Sequence, residues 1–100
     1  MRKGYVVVLL DVVDRDLYDE YARRATTIEA RHGGKPLVVG EALQVVEGEW
    51  PAERIVVLEF PSLAAAQAWY SDPDYAALIP LRLRATQSRI LFIAGFLEEN

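Results

Sequence analysis

Two runs in this chain are apolar at consecutive positions, and that constrains the fold more than any other feature. Tyr5 to Val13 reads YVVVLLDVV, and Ile55 to Leu58 reads IVVL, with β-branched residues dominant. Side chains of a strand point alternately to opposite faces, so such runs place apolar groups on both. A chain built on them needs a sheet covered on two sides. One hundred residues suffice for a single domain spanning 1–100, with a modest number of covering elements.

The stretch from Arg54 to Arg84 shows how one side is covered. A strand runs from Arg54 to Phe60, and Pro61 ends it because it has no ladder donor. Ser62 is a strong N-cap, and the Ala-rich helix that follows turns Leu63, Ala66, Trp69 and Tyr70 to one stripe. Asp72 caps a second short helix with Pro73 at its first position. Tyr75, Leu78 and Ile79 form its apolar side, and Pro80 limits it.

The rest falls into place around this stretch. The first strand is Tyr5–Val13. Asp14 or Asp16 caps a helix whose stripe is Leu17, Tyr18, Tyr21, Ala22, Ala25 and Ile28. His32-Gly33-Gly34 ends it, with a left-handed glycine. Leu37–Val46 is expected as the second strand, with a bulge or close approach at Gly40. Residues 47–51 make the hairpin connection, Ser88–Phe96 is the last strand, and Glu98-Glu99-Asn100 is a polar, frayed tail.

The order strand, helix, strand, strand, helix, strand is the split βαβ pattern of an α+β ferredoxin-like sandwich. It has an antiparallel sheet with its helices on one face. Right-handed crossovers are expected to put the first and third strands side by side at the centre, parallel to one another, with the second and fourth flanking. The opposite sheet face then has nothing in the chain to cover it. The last strand is apolar at both parities: Ile90, Phe92 and Phe96 on one, Leu91 and Ile93 on the other. An open face of this kind exceeds the apolar patch that monomers usually show. A second copy packed sheet to sheet is the simplest closed solution, so a homodimer is expected.

Three segments now resemble a known family: GYVVVLLDVVDRDLYDEY, ARHGGKPLVVG and ERIVVLEFPSLAAAQAWYSDPDYAALIPLR. Together they resemble the bacterial family named domain of unknown function 1330, within the dimeric α/β-barrel superfamily. The resemblance covers nearly the whole chain. It implies the ferredoxin-like fold and the homodimer, and no activity, since none is established for that family. Its superfamily includes small monooxygenases, haem-degrading enzymes, isomerase-like proteins and ligand-sensing domains.

Charge and composition narrow the partners. The net charge is −4, with basic residues scattered along the chain, which argues against nucleic acid and anionic membranes. There is no cysteine, hence no disulfide, thiolate nucleophile or thiolate metal site. The stretch before Tyr5 is too short for a charged leader, and Tyr5–Leu10 is too brief for a membrane span, so a cytoplasmic location is expected. No motif implies a cofactor or metal.

Candidate chemistry is sparse. Asp11 and Glu59, near the ends of the two central strands, would lie side by side if those strands were parallel. Each would then raise the other's pKa and suit acid/base work. The plainer reading is that each is solvated or ion-paired, with Arg54, Arg82, Arg84 and Arg89 as counter-charges. His32, the one histidine, is the third candidate base, at the mouth of a pocket; its plainer role is at the helix terminus. Tyr18, Tyr21, Trp69, Tyr75, Arg54 and Arg82 are expected to line a cleft between helices and sheet. Aromatic walls with an arginine at one end suit a small aromatic or carboxylated ligand, though core packing is the plainer account of the rings. Three functions stay open: a ligand-binding dimer, a cofactor-independent monooxygenase- or isomerase-like enzyme, and a structural dimer with a filled core.

Overall fold

The computed structural model describes residues 2–96, so the expected tail at Glu98-Glu99-Asn100 lies outside the described residues. The elements are β1 Gly4–Val12, α1 Arg15–Arg31, β2 Lys35–Gly40, β3 Arg54–Phe60, α2 Leu63–Ser71, α3 Pro73–Ala76, α4 Ile79–Ala85 and β4 Thr86–Ala94. The sheet order is β2-β3-β1-β4, and each neighbouring pair is antiparallel. This is the α+β ferredoxin-like arrangement.

The expected parallel pairing of β1 with β3 is wrong. Tyr5 lies opposite Glu59 and Leu10 opposite Arg54, so the two strands run in opposite directions. The cause is topological. A crossover through α1 makes β1 and β2 run the same way, and β3 inserts between them after reversing from β2.

Local chemistry sets the helix boundaries. Asp14 accepts from the Leu17 amide at 3.1 Å, so it is Asp14 that caps α1. Ser62 accepts from the Ala65 amide at 3.1 Å, and Asp72 from the Asp74 amide at 2.9 Å. Gly33, at φ 77°, turns the chain out of α1, and Gly34 returns its amide to the Glu29 carbonyl at 2.9 Å. Pro80 starts a helix rather than limiting one. It sits in the first turn of α4, where a missing N–H costs nothing.

The second strand is shorter than expected. It ends at Gly40, which lies opposite Ile55, and residues 41–53 hold no strand or helix. A strand beyond Gly40 would need a partner preceding Arg54, and Pro51 has no N–H to give one. The ladder irregularity falls between Pro36 and Val38 rather than at Gly40. Pro36 again is the residue without a donor.

Helices cover one face of the sheet. Val6, Val8 and Leu10 of β1 and Leu58 and Phe60 of β3 are buried beneath them, with Ala25, Ile28, Ala66, Trp69, Tyr75, Leu78 and Ala85 on the helical side. The molecule measures 42 × 38 × 15 Å, and 15 Å holds one sheet and one layer of helices. On the other face Leu91, Val7, Val57 and Val38 form one row across all four strands. Leu91 is 50% exposed, its neighbour Ile93 53% and Val38 44%. Among the described residues, no helix is long and apolar enough to cross a membrane.

Candidate functional site

The helix-sheet seam encloses a cavity of about 120 Å³. Its floor is sheet: Val8 and Leu10 of β1, Val56 and Leu58 of β3, Ile90 of β4. Its roof comes from Tyr18, Tyr21, Ala25 and Glu29 of α1, Trp69 of α2 and Arg82 of α4. An apolar cavity of roughly 150 Å³ admits benzene, so this one suits a molecule of similar or slightly smaller size.

Each polar group at the roof is held by its element. Arg82 is buried in α4, and its Nη1 donates to the Tyr75 hydroxyl at 2.8 Å. The Tyr75 and Tyr21 hydroxyls share a hydrogen bond of 2.7 Å. That bond uses one of the pair's two hydroxyl protons. Trp69 packs on Tyr75, with ring centroids 4.3 Å apart. Two buried donors lack a hydrogen-bond partner among the described residues, Nε1 of Trp69 and Nε of Arg82. A buried unsatisfied N–H costs about 1–3 kcal/mol, so each is an exception among buried polar groups.

Burial sets the charge states. It pushes the Tyr21 hydroxyl far above the ordinary tyrosine range, helped by the adjacent Tyr75 oxygen, so Tyr21 stays protonated. Burial raises Tyr75 as well, against the pull of its hydrogen bonds and of Arg82. For Arg82 burial works against the charge, but the oxygens of Tyr75 and Tyr21 outweigh it and the guanidinium remains charged.

Glu29 was not foreseen. It is only 8% exposed and supplies the one carboxyl among the cavity's lining residues. Burial lifts that carboxyl from 4.5 to about 7, and no neighbouring cation pulls it back. The signal was in the spacing: Glu29 stands four residues beyond Ala25 and eight beyond Tyr21, on the sheet-facing stripe.

The predicted site residues separate into two groups. Tyr18, Tyr21, Trp69 and Arg82 line the cavity; Tyr75 stands behind it as the acceptor for Arg82. Arg54 lies outside, its guanidinium 5.0 Å from the Tyr18 ring centroid and paired with Glu41. The three candidate bases do not converge. Because β1 and β3 are antiparallel, Asp11 and Glu59 lie at opposite ends of the central pair. Asp11 accepts from the Glu53 amide at 2.7 Å. Glu59 accepts from the Tyr5 hydroxyl at 3.0 Å and pairs with Lys35 at 3.7 Å, on the open face. His32 bonds through Nε2 to Asp72 at 2.8 Å, tying the end of α1 to the start of α3 and away from the cavity. Among the described residues, no cluster of His, Cys, Asp or Glu could hold a metal ion.

Comparison with known proteins gives the family. The model for the domain of unknown function DUF1330 matches residues 3–96. The chain belongs to that family. No protein of curated function matches it. Among solved structures, RPA0582 of Rhodopseudomonas palustris, a protein of unknown function, aligns with a TM-score of 0.77 at 20% identity, over 97% of this chain and 85% of that one. A dimeric ferredoxin-like protein of unknown function from Thermobifida fusca aligns at 0.64 and 15%, over 93% and 91%. SnoaB, a cofactor-independent oxygenase from Streptomyces nogalater, aligns at 0.66 and 10%, over 98% and 97%. At these identities the likeness is one of fold.

Proposed function

We propose that this DUF1330 protein is a homodimer, joined through the open face of its sheet, that binds a small carboxylated or carbonyl-bearing organic molecule in the cavity under α1, α2 and α4. The observation that carries the ligand reading is an apolar cavity with the buried, charged Arg82 among its lining residues. An apolar pocket with a single fixed charge suits a small molecule that bears one carboxylate or a polar carbonyl. The filled core expected of a purely structural dimer is at odds with such a cavity. The dimer reading rests on the row Leu91, Val7, Val57 and Val38. A second sheet about 10 Å away would cover it, burying roughly 800 Å² or more per partner in a stable interface. This reading calls for no cofactor, and a cytoplasmic setting accords with the cysteine-free chain.

The test is isothermal titration calorimetry of short carboxylates and 2-oxo acids against wild type and Arg82→Met. Methionine keeps an unbranched side chain and removes the charge. Saturable binding weakened about tenfold by the substitution supports the reading. Absence of saturable binding across the set at millimolar concentration refutes it.

A further inference from the structure

We propose that residues 41–53, between β2 and β3, form a dimerisation arm whose apolar side chains are buried by a second copy of this chain. The proposal rests on the sheet-face dimer above and extends that interface beyond the sheet.

The segment has the wrong composition for a loop left in water. Its first part, Glu41 to Val46, reads EALQVV, free of Gly and Pro, with Leu43, Val45 and Val46 suited to a strand. It takes up no strand or helix in the single chain, because its own return leg carries Pro51 and offers no ladder. Val46 is 89% exposed and Trp50 47%, with Val45 half exposed beside them. A lone apolar side chain on a surface is ordinary, whereas a cluster marks a site of contact.

The arm is continuous with the open face of the sheet. Ile55 shares that face with Val57, two residues on, and lies opposite Leu9 of β1 and Gly40 of β2. It also lines one concave surface with Leu43, Val45, Val46 and Trp50. At the same end of the sheet, Pro51 and Ala52 line a second concavity with Leu9, Asp11 and Arg89. One apolar surface therefore runs from Leu91, Val7, Val57 and Val38 through Ile55 and out onto the arm.

That continuity selects the occupant. In the sheet-face dimer a second copy covers the row, and the arm borders the covered area. An isologous two-fold interface uses the same patch twice, so both arms are buried by one set of contacts. Trp50 gains most. An aromatic side chain buries about 150–250 Å², so covering the exposed half of Trp50 removes on the order of 100 Å² from water. Tryptophan in that position is the kind of anchor that dominates interface energies. The arm by itself falls well short of the roughly 1,000 Å² that a specific interface of its own would bury. Joined to the open face, it adds to one that already reaches that size.

The experiment uses the full chain and two readouts. The chain has two tryptophans, and Trp69 is buried in the helix-side core in either assembly state, so a change in acrylamide quenching between dimer and monomer reports Trp50. Leu91→Asp supplies the monomer. Its quenching is expected to be at least twofold stronger than that of the wild-type dimer, and the difference should vanish when Trp50→Phe is introduced into both. Val46→Asp tests the arm directly. Val46 is almost wholly exposed within one chain, so this variant should keep the far-ultraviolet circular dichroism of wild type, while sedimentation shows a dimer dissociation constant raised at least tenfold. A dimeric wild type whose Trp50 is quenched as strongly as in Leu91→Asp overturns the arm and leaves the sheet-face dimer standing. A Val46→Asp variant that dimerises as tightly as wild type overturns the arm equally, and decides alone if Leu91→Asp does not fold. Wild type that sediments as an 11.3 kDa monomer, or Leu91→Asp that remains a dimer, overturns the sheet-face dimer and the arm with it.

Discussion

Glu29 should cost the protein stability at neutral and alkaline pH, and Glu29→Gln should remove that cost. The carboxyl titrates at 4.5 in an open chain and at about 7 in the fold, because burial disfavours the charged form. The folded state therefore binds this proton more tightly than the unfolded state does. Between pH 4.5 and 7 the unfolded chain holds fewer protons at this site, so stability falls as pH rises. The contribution is fully present below 4.5 and gone just above 7. At about 1.4 kcal/mol for each tenfold, the change is about 3 kcal/mol. Glutamine keeps the shape and the burial without the charge. Any penalty for its unpaired amide is the same at every pH, so it cancels in the comparison. Chemical denaturation of wild type and Glu29→Gln at pH 4 and at pH 8, at one fixed protein concentration, gives four stabilities. The variant should gain on wild type by about 2–3 kcal/mol between the two pH values. For a domain of this size that is on the order of 10 °C in Tm. Other carboxyls titrate in both proteins and drop out of the difference. A gap between variant and wild type that is the same at both pH values would refute the argument.

Further expectations follow from the packing. Leu91→Asp puts a charge in the middle of the open apolar row while sparing the helix-side core; sedimentation should then show a folded particle of 11.3 kDa, and a persistent particle of twice that mass would refute the sheet-face dimer. Gly34→Ala should destabilise by about 1–3 kcal/mol in urea, since its Cβ would lie 2.3 Å from Cε2 of the fully buried Phe60. The His32 hydrogen bond, seconded by the Asp74 amide, holds the Asp72 carboxyl below its ordinary 3.8. That contribution is present above 3.8 and is lost as pH falls through the lower folded value. In His32→Ala the Asp72 carboxyl, followed by ¹³C NMR, should titrate at higher pH than in wild type, and no movement would dismiss the bond as a stabilising contact.

Much of the fold was legible because it is written in local chemistry. Ser62, Asp72-Pro73 and Gly33 each act within a turn, and each does in the structure what its residue type dictates. The consecutive apolar residues of β1, β3 and β4 gave the sheet and its open face for the same reason. What failed was longer in range. Strand direction depends on which strand inserts between β1 and β2, and no property of β1 or β3 alone encodes it. The end of β2 depends on whether residues before Arg54 can pair, and only Pro51 hinted that they do not. Pro80 looks the same whether it ends one helix or begins the next; the difference lies in the turn at Ala77 and Leu78.

The site shows the same division at the level of single side chains. Tyr18, Tyr21, Trp69 and Arg82 could be picked by type and stripe, because aromatic rings at helical spacing turn toward the sheet. Glu29 falls on the same stripe, but a glutamate is far more often solvated than buried, so its residue type points away from the core. Its burial becomes visible only when α1 is laid on the floor that β1 and β3 provide. That floor also explains how the two proposed functions can share one thin sheet. Val8 and Leu10 face the cavity while their neighbours Val7 and Leu9 face the open side, so one strand serves both without a shared side chain. Separate side chains on a rigid strand predict weak coupling. Breaking the dimer with Leu91→Asp should therefore leave the affinity for a short carboxylate within about threefold of wild type. A loss of tenfold or more would mean that the partner holds the cavity floor in place, and that the two faces act as one unit.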